Sequence, residues 1–196
     1  RRLGLENQEV YSFFLEALAY LARPLPDADE LLALCLRCGE INLEVMAMLD
    51  QAHTRRFGHP VPAKVRITPV KGKAILVSGH DLGDLEELLK QTQDLGINIY
   101  THGEMLPAHG YPQLKKYPHL AGNYGGAWQD QAREFDEFPG AILMTTNCIQ
   151  EPRASYIDRI FTCGLVAWPG VRHIDGEDFS PVIAAAQAAP GFAEDE

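Results

Sequence analysis

The sequence predicts an α/β fold: a short helical N-terminal segment followed by a domain built on a parallel β-sheet. The sheet is read from Gly72 to Cys148. There, three segments each look like a buried strand running into a polar residue: Ala74 to Asp81 (AILVSGHD), Ile97 to Glu104 (INIYTHGE) and Ala141 to Cys148 (AILMTTNC). Each is a short apolar run with β-branched residues, too short for an independent helix. Between the first two lies DLGDLEELLKQTQDLG, whose Leu82, Leu85, Leu88 and Leu89 fall at helical spacing. Strand, helix, strand in that order is a βαβ unit, and hence a parallel sheet.

The remaining elements follow in chain order. Glu9 to Leu21 reads as an amphipathic helix ended near Pro24. Asp27 or Asp29 is placed to cap a second helix. Because Gly costs about 1 kcal/mol against Ala in a helix, that helix is expected to break near Gly39, with Asn42 capping a third helix that ends near Gly58. Pro60, Pro62 and Pro69 mark a connector, and the domain boundary is set near residue 65: 1–64 as the end of a helical domain, 65–196 as the α/β domain. After Glu104, the Gly- and Pro-rich stretch 105–126 reads as an ordered loop with at most one helical turn. Ala127 to Phe138 reads as a helix with Trp128, Ala132 and Phe135 inward, and a short strand is expected at Ile160 to Thr162. Ser180 is expected to cap a last helix with Pro181 at its first position. The tail GFAEDE is expected to fray.

Composition narrows the function classes. The chain has 196 residues, 46% hydrophobic and 22% charged, an ordinary globular composition with enough length for one sizeable core. A formal net charge of -10 argues against a nucleic-acid or anionic-membrane partner, since both need basic patches. No run approaches the roughly 18 apolar residues of a membrane span. The start, RRLGLENQEV, has two arginines but no apolar stretch after them, so it is not a secretory signal. It lacks an initiator Met, so the chain reads as a processed or excised piece. Four cysteines at this length make no disulfide framework, and a reducing cytoplasmic setting is expected.

The candidate chemistry sits at the strand ends, where ligands of parallel sheets collect. Those ends carry His80, Glu104 and Cys148: an imidazole, a carboxylate and a thiol. Taken singly, each has an ordinary structural role: a helix-capping or rim histidine, a turn-capping carboxylate, an inert buried thiol. Taken together at three sequential strand ends they form a metal-ligand set, and a thiolate with imidazole and carboxylate suits iron or zinc rather than magnesium or calcium. Cys35 and Cys38 form a C-x-x-C on one helical face. With no second pair, and with leucines around them, they read as core packing, and Cys163 as a structural thiol. His102 and His109 bracket Glu104 and either hold its carboxylate from outside or satisfy a loop. The glycines of NYGGAW (Asn123 to Trp128) serve either an anion at a helix N-terminus or a close backbone approach.

Four segments, GHDLGDLEELLKQT, INIYTHGEMLPAHGYPQLKKYPHLAGNYGGAWQDQ, GAILMTTNCI and the region of DRIF and VAWPGVRHIDG, closely resemble the hybrid-cluster protein family, the hydroxylamine reductases or prismane proteins. The resemblance extends over nearly the whole chain. It implies an incomplete prismane-like arrangement, with the end of a helical domain leading into a Rossmann-like α/β domain. It also implies that the His of GHDL (His80), the Glu of THGEM (Glu104) and the Cys of TTNC (Cys148) are ligands of a hybrid iron–sulfur–oxygen cluster. Cys148 would bind a sulfur-rich iron. His80 and Glu104 would bind irons that can open a position for substrate, which makes those two the catalytic pair.

The implied activity is reduction of hydroxylamine to ammonia and water, with nitric oxide reduction as a related role. Electrons would come from a separate electron-donor protein through a second [4Fe-4S] or [2Fe-2S] cluster outside this chain. The family's N-terminal cysteine cluster and its remaining hybrid-cluster ligands are not in this sequence. The chain is therefore expected to be an internal segment, inactive alone, with its strand-end face partly exposed. Two other classes stay open: a mononuclear zinc or iron hydrolase using the same three residues, and a metal-free α/β scaffold.

Overall fold

A computed structural model describes residues 3–195. Arg1 and Arg2 of the expected non-signal start, and Glu196 of the expected frayed tail, lie outside them. The chain divides into two compact units, Arg1–His59 and Pro60–Glu196.

The first unit is a pair of helices. Helix α1 (Gln8–Leu21) is capped by the Asn7 side chain, which accepts from the Glu9 N–H, and helix α2 (Ala28–Phe57) is capped by Asp27, which accepts from Asp29 and Glu30. The expected break at Gly39 does not occur: α2 runs unbroken for 30 residues, and Asn42 bonds Met46 Sδ rather than capping anything. Tertiary contact overrides the weak glycine penalty. Ile41 and Leu34, on either side of Gly39, pack against Val10 and Phe13 of α1, and Arg37 pairs with Glu9. Cys35 and Cys38 are exposed, so their reading as core packing is corrected. The buried stripe of α2 takes Ile41 instead, and the leucines near the cysteines, Leu32 and Leu36, are themselves exposed.

The second unit is the α/β domain. Its strands are β1 (Lys73–Ser78), β2 (Ile97–His102), β3 (Leu120–Asn123), β4 (Ala141–Met144), β5 (Ile160–Cys163) and β6 (Arg172–Ile174). They form one all-parallel sheet in the order β3-β2-β1-β4-β5-β6. The chain builds outward from β1 on one side, then returns to β4 and builds outward on the other. The strand order therefore reverses between β1 and β4, where such sheets open a crevice. Both faces are covered, which is why the strands read as continuous apolar runs. Residues 74–77 of β1 and 141–144 of β4 are fully buried. At roughly 1.5–3 kcal/mol for each large apolar side chain, they anchor the fold. On one face Leu76, Tyr100, Ile142 and Met144 pack with Phe135, Phe138 and Tyr156.

Helix α3 (Leu82–Thr92) is capped by Asp81 Oδ1, which accepts from Gly83 (2.8 Å) and Asp84 (3.0 Å). The stretch 105–126 holds more than the expected loop: a 3₁₀ stretch Gly103–Gly110, a turn of helix α4 (Pro112–Lys115) and the edge strand β3. Strand β3 escapes a pattern reading because LAGN is short and glycine-containing. It is held in place by Arg66, whose carbonyl accepts from Asn123 at 2.8 Å. The expected helix at Ala127 begins as a 3₁₀ turn, Trp128–Asp130, and becomes α5 only over Gln131–Glu137. Phe135 is buried as expected, but Trp128 is exposed, because the 3₁₀ turn rotates it out of the apolar stripe. Helix α6 (Ser180–Ala188) starts with Pro in its first turn, but Ser180 makes no side-chain cap; Asp178 accepts from its N–H at 3.0 Å. The tail is tied down rather than frayed through Asp195. Phe192 bridges to Gly72 and its ring lies 5.7 Å from that of Tyr100, while Asp195 accepts from the Lys71 N–H.

Candidate metal centre

Register brings the three strand ends level. Ser78, the last residue of β1, pairs with His102 at the end of β2 and with Met144 at the end of β4. The next few residues of each strand therefore leave the sheet at the same height, on adjacent strands, beside the point where the strand order reverses. His80, Glu104 and Cys148 come from those three exits, and one donor atom of each lies within 4.8 Å of the others.

The local bonding is specific. Gly79 (φ +110°) lets β1 turn beneath the β4 exit; a Cβ there would sit 2.5 Å from Thr145 Oγ1 and 2.7 Å from the Thr146 amide nitrogen. Thr145 donates from its backbone and its hydroxyl to the Ser78 carbonyl and accepts from the Asp81 N–H. Thr146 Oγ1 lies 2.7 Å from His80 Nδ1, which leaves Nε2 facing Glu104 Oε2 at 2.5 Å. Cys148 donates its thiol to the same Oε2 at 3.0 Å, and its sulfur stands 3.9 Å from His80 Nδ1. Glu104 Oε2 is thus the hub of the cluster.

The thiol bond from Cys148, and then the positive field of the His80 ring, hold the Glu104 carboxyl below its usual range. Burial, with the Glu104 carboxylate beside it, pushes the Cys148 thiol up to about 11. In this state the thiol keeps its proton, and a metal that took the sulfur would have to displace it. The side chains of His80 and Glu104 are 47% and 53% exposed. The cluster therefore forms the floor of an open cleft of about 420 Å³, walled by Trp128, Asn147, Ile149 and Gln150.

Of the residues singled out in the sequence, these three come together. His102 and His109 do not reach Glu104: His102 lies between Ser78 Oγ (3.1 Å) and Glu134 Oε2 (2.9 Å), and His109 bonds Thr101 Oγ1 (2.9 Å). Both point back into the domain because the Gly103–Gly110 3₁₀ stretch turns Glu104 outward. The glycines of NYGGAW serve a close approach. A Cβ on Gly125 would lie 2.5 Å from Glu134 Oε2, and Gly126 N–H donates to Glu134 Oε1 at 3.0 Å. Cys163 is buried, 3.5 Å from Asp84 Oδ2, and Cys35 and Cys38 lie in the other unit.

Sequence reasoning missed Thr146, Gln131 and Glu134. Thr146 had a signal, a hydroxyl pair closing an apolar strand. Gln131 and Glu134 had none, because a polar residue on an amphipathic helix reads as facing solvent.

The sequence profile of the Prismane/CO dehydrogenase family matches residues 1–196. A hydroxylamine reductase of Syntrophobacter fumaroxidans is 61% identical over 98% of the chain and 35% of that protein's length. One from Thermodesulfovibrio yellowstonii is 61% identical over 99% of the chain and 36% of its own length. One from Zymomonas mobilis is 57% identical over 99% and 36%. The chain thus spans about a third of the length of the curated relatives it matches. With the profile covering every residue and identities near 60%, the chain belongs to the Prismane/CO dehydrogenase family.

Proposed function

We propose that the protein containing this chain is a hydroxylamine reductase, and that His80, Glu104 and Cys148 are three of the ligands of its hybrid iron–sulfur–oxygen cluster. The observation that carries this is the convergence of an imidazole, a carboxylate and a thiol within 4.8 Å at three strand ends, in a chain about 60% identical to hydroxylamine reductases. The donor set fits iron: a soft thiolate beside borderline imidazole and hard carboxylate. Three donors on the floor of an open cleft leave room for further ligands and for substrate. Those ligands, and the second [4Fe-4S] or [2Fe-2S] cluster, are assigned to the part of the relatives' length that this chain does not span.

When bound, the cluster supplies the electrons that cleave the N–O bond: hydroxylamine, two electrons and two protons give ammonia and water. This chain's residues hold and orient. Thr146 fixes the His80 ring so that Nε2 faces the cleft. Glu104 sits between imidazole and thiol, where it would balance the charge of the cluster, and Cys148, which donates its thiol to Glu104, would hold the cluster through its sulfur after giving up that proton. Trp128 covers one side of the cleft, which is large for so small a substrate. Nitric oxide is a second small substrate for the same site. Electrons arrive from a separate donor protein in a cytoplasmic setting. No described helix is long and apolar enough to cross a membrane. Residues 1–64 are assigned to the end of a helical domain, and 65–196 carry the cluster face.

The test is iron, zinc and acid-labile sulfide per chain in the full-length gene product purified without oxygen, with hydroxylamine-dependent oxidation of a reduced one-electron dye alongside. Iron with sulfide, lost in Cys148→Ala and Glu104→Ala together with the activity, is expected. Stoichiometric zinc without sulfide would overturn the assignment in favour of a mononuclear hydrolase.

A further inference from the structure

Helix α5 reaches the Cys148 loop and the end of β2, the strand that leads into Glu104, with side chains one turn apart. Gln131 is 1% exposed, and its amide spans the Cys148 loop: Nε2 donates to the Cys148 carbonyl and Oε1 accepts from the Gln150 N–H at 3.2 Å. That is the bonding of a neighbouring strand, supplied by a side chain where β4 has no further strand partner. Glu134, three residues on and so on the same face, accepts from His102 Nε2 at 2.9 Å and Gly126 N–H at 3.0 Å. His102 is fully buried, closes on Ser78 Oγ at 3.1 Å and precedes Glu104 by two residues. Gly125 leaves space for this carboxylate, which any Cβ there would displace. The far end of α5 is itself fixed: the Arg159 guanidinium donates to the carbonyls of Phe135, Asp136, Phe138 and Gly140.

We infer that Gln131 and Glu134 are positioning residues, through which α5 sets Cys148 and Glu104 at coordinating distance from His80. This rests on the metal reading above. The parallel sheet brings the strand ends to one level. Beyond the sheet, Gln131 supplies the bonds that the β4 exit no longer draws from a neighbouring strand, and Glu134 holds the His102 ring at the end of β2, two residues before Glu104. Neither residue touches the cleft, so their effect reaches a bound metal only through the loops they hold.

The experiment is a cobalt(II) titration of the full-length gene product, stripped of its metal, followed by thiolate-to-metal absorbance, with the Cys148→Ser variant subtracted to remove the signals of the other cysteines. Gln131→Met keeps the volume and removes both bonds. Glu134→Gln keeps the volume and leaves one donor unpaired. Val182→Ala, at a fully buried position of α6 that shares none of these bonds, controls for loss of stability. Outer-shell substitutions typically weaken metal binding 10–100-fold, and that loss is expected for Gln131→Met and Glu134→Gln but not for Val182→Ala. Faster amide exchange at Gln150 is expected in Gln131→Met, with or without metal. Equal cobalt affinity in all variants, or equal losses in all three, overturns the positioning role. If Gln131→Met does not fold, Glu134→Gln decides. An unsubstituted full-length protein with no Cys148-dependent band overturns the metal site itself, whereas a band that Gln131→Met leaves unchanged overturns the positioning role alone.

Discussion

Replacing Gly79 by alanine tests whether the site is built by contact between the β1 and β4 exits. Two costs arise there. The backbone sits at φ +110°, which non-glycine residues adopt at about 1–3 kcal/mol. The new methyl also falls 2.5 Å from Thr145 Oγ1 and 2.7 Å from both the Thr146 nitrogen and its Oγ1. Forcing a methyl into a packed contact costs about 1–3 kcal/mol. The neighbour that must give way is partly backbone, so rotating a side chain does not relieve it. The sum is roughly 2–6 kcal/mol, or about 4 to 24 °C in Tm at 2–4 °C per kcal/mol for a chain of this size. The two threonines that would move are those that tie Ser78 and Asp81 to the β4 exit and hold His80 Nδ1. Metal affinity should therefore fall along with stability. Gly96→Ala separates the two costs: its φ is +67° and nothing lies within 4 Å of the added carbon, so it pays the backbone term alone. Urea unfolding of both variants measures the difference. Equal losses at Gly79 and Gly96 would refute the close approach, and a Gly79→Ala protein that binds cobalt as the parent does would refute its coupling to the metal site.

Other residues give independent tests. Gly39→Ala should raise the urea midpoint by the equivalent of about 0.5–1 kcal/mol, since Gly39 lies inside α2 with open space around it; a decrease would show that the helix needs a flexible point there. Arg159→Lys should cost about 2–4 kcal/mol in urea unfolding, because one ammonium cannot serve the four carbonyls that the guanidinium fork holds at the end of α5. Thr146→Val should weaken cobalt binding 10–100-fold with little change in Tm, by freeing the His80 ring; unchanged affinity would mean the ring is fixed by other contacts. Burial lowers the pKa of both His109 and His119 below the ordinary 6.5. Below that value the unfolded chain binds protons that the folded one refuses, so their contribution is present above pH 6.5 and is lost as the pH falls through 6.5 toward the folded values. The urea midpoint should drop between pH 7.5 and 5.5, and the drop should shrink in a His109→Gln, His119→Gln variant; an identical drop there would remove these two residues as its source.

How much was legible in the sequence follows from where the information lies. The βαβ unit and the three strand ends were visible because a buried parallel strand must be apolar on both faces. The run AILVS and the leucine spacing of α3 state this locally. Donor chemistry at strand exits was visible because parallel topology alone places those exits together, so His80, Glu104 and Cys148 needed no contact information to be grouped. Elements held by a distant partner were not visible. Strand β3 exists because Arg66 and β2 pair with a glycine-containing tetrapeptide, and α2 stays whole across Gly39 because α1 packs beside it. The same limit governs the site. The sequence leaves His102 two roles, holding the carboxylate of nearby Glu104 or satisfying a loop, and the structure gives it neither: a 3₁₀ stretch turns Glu104 away and a carboxylate 32 residues on claims the imidazole. What a local pattern conveys is which atoms can bind a metal. What would fix their separation, on the positioning role inferred above, is a set of polar side chains, the half-buried Thr146 and the buried Gln131 and Glu134, whose partners are imidazoles and backbone groups distant in sequence that no residue pattern marks. The ligands of such a site are therefore easier to read from sequence than the residues that hold them, although the separation of the ligands depends on both.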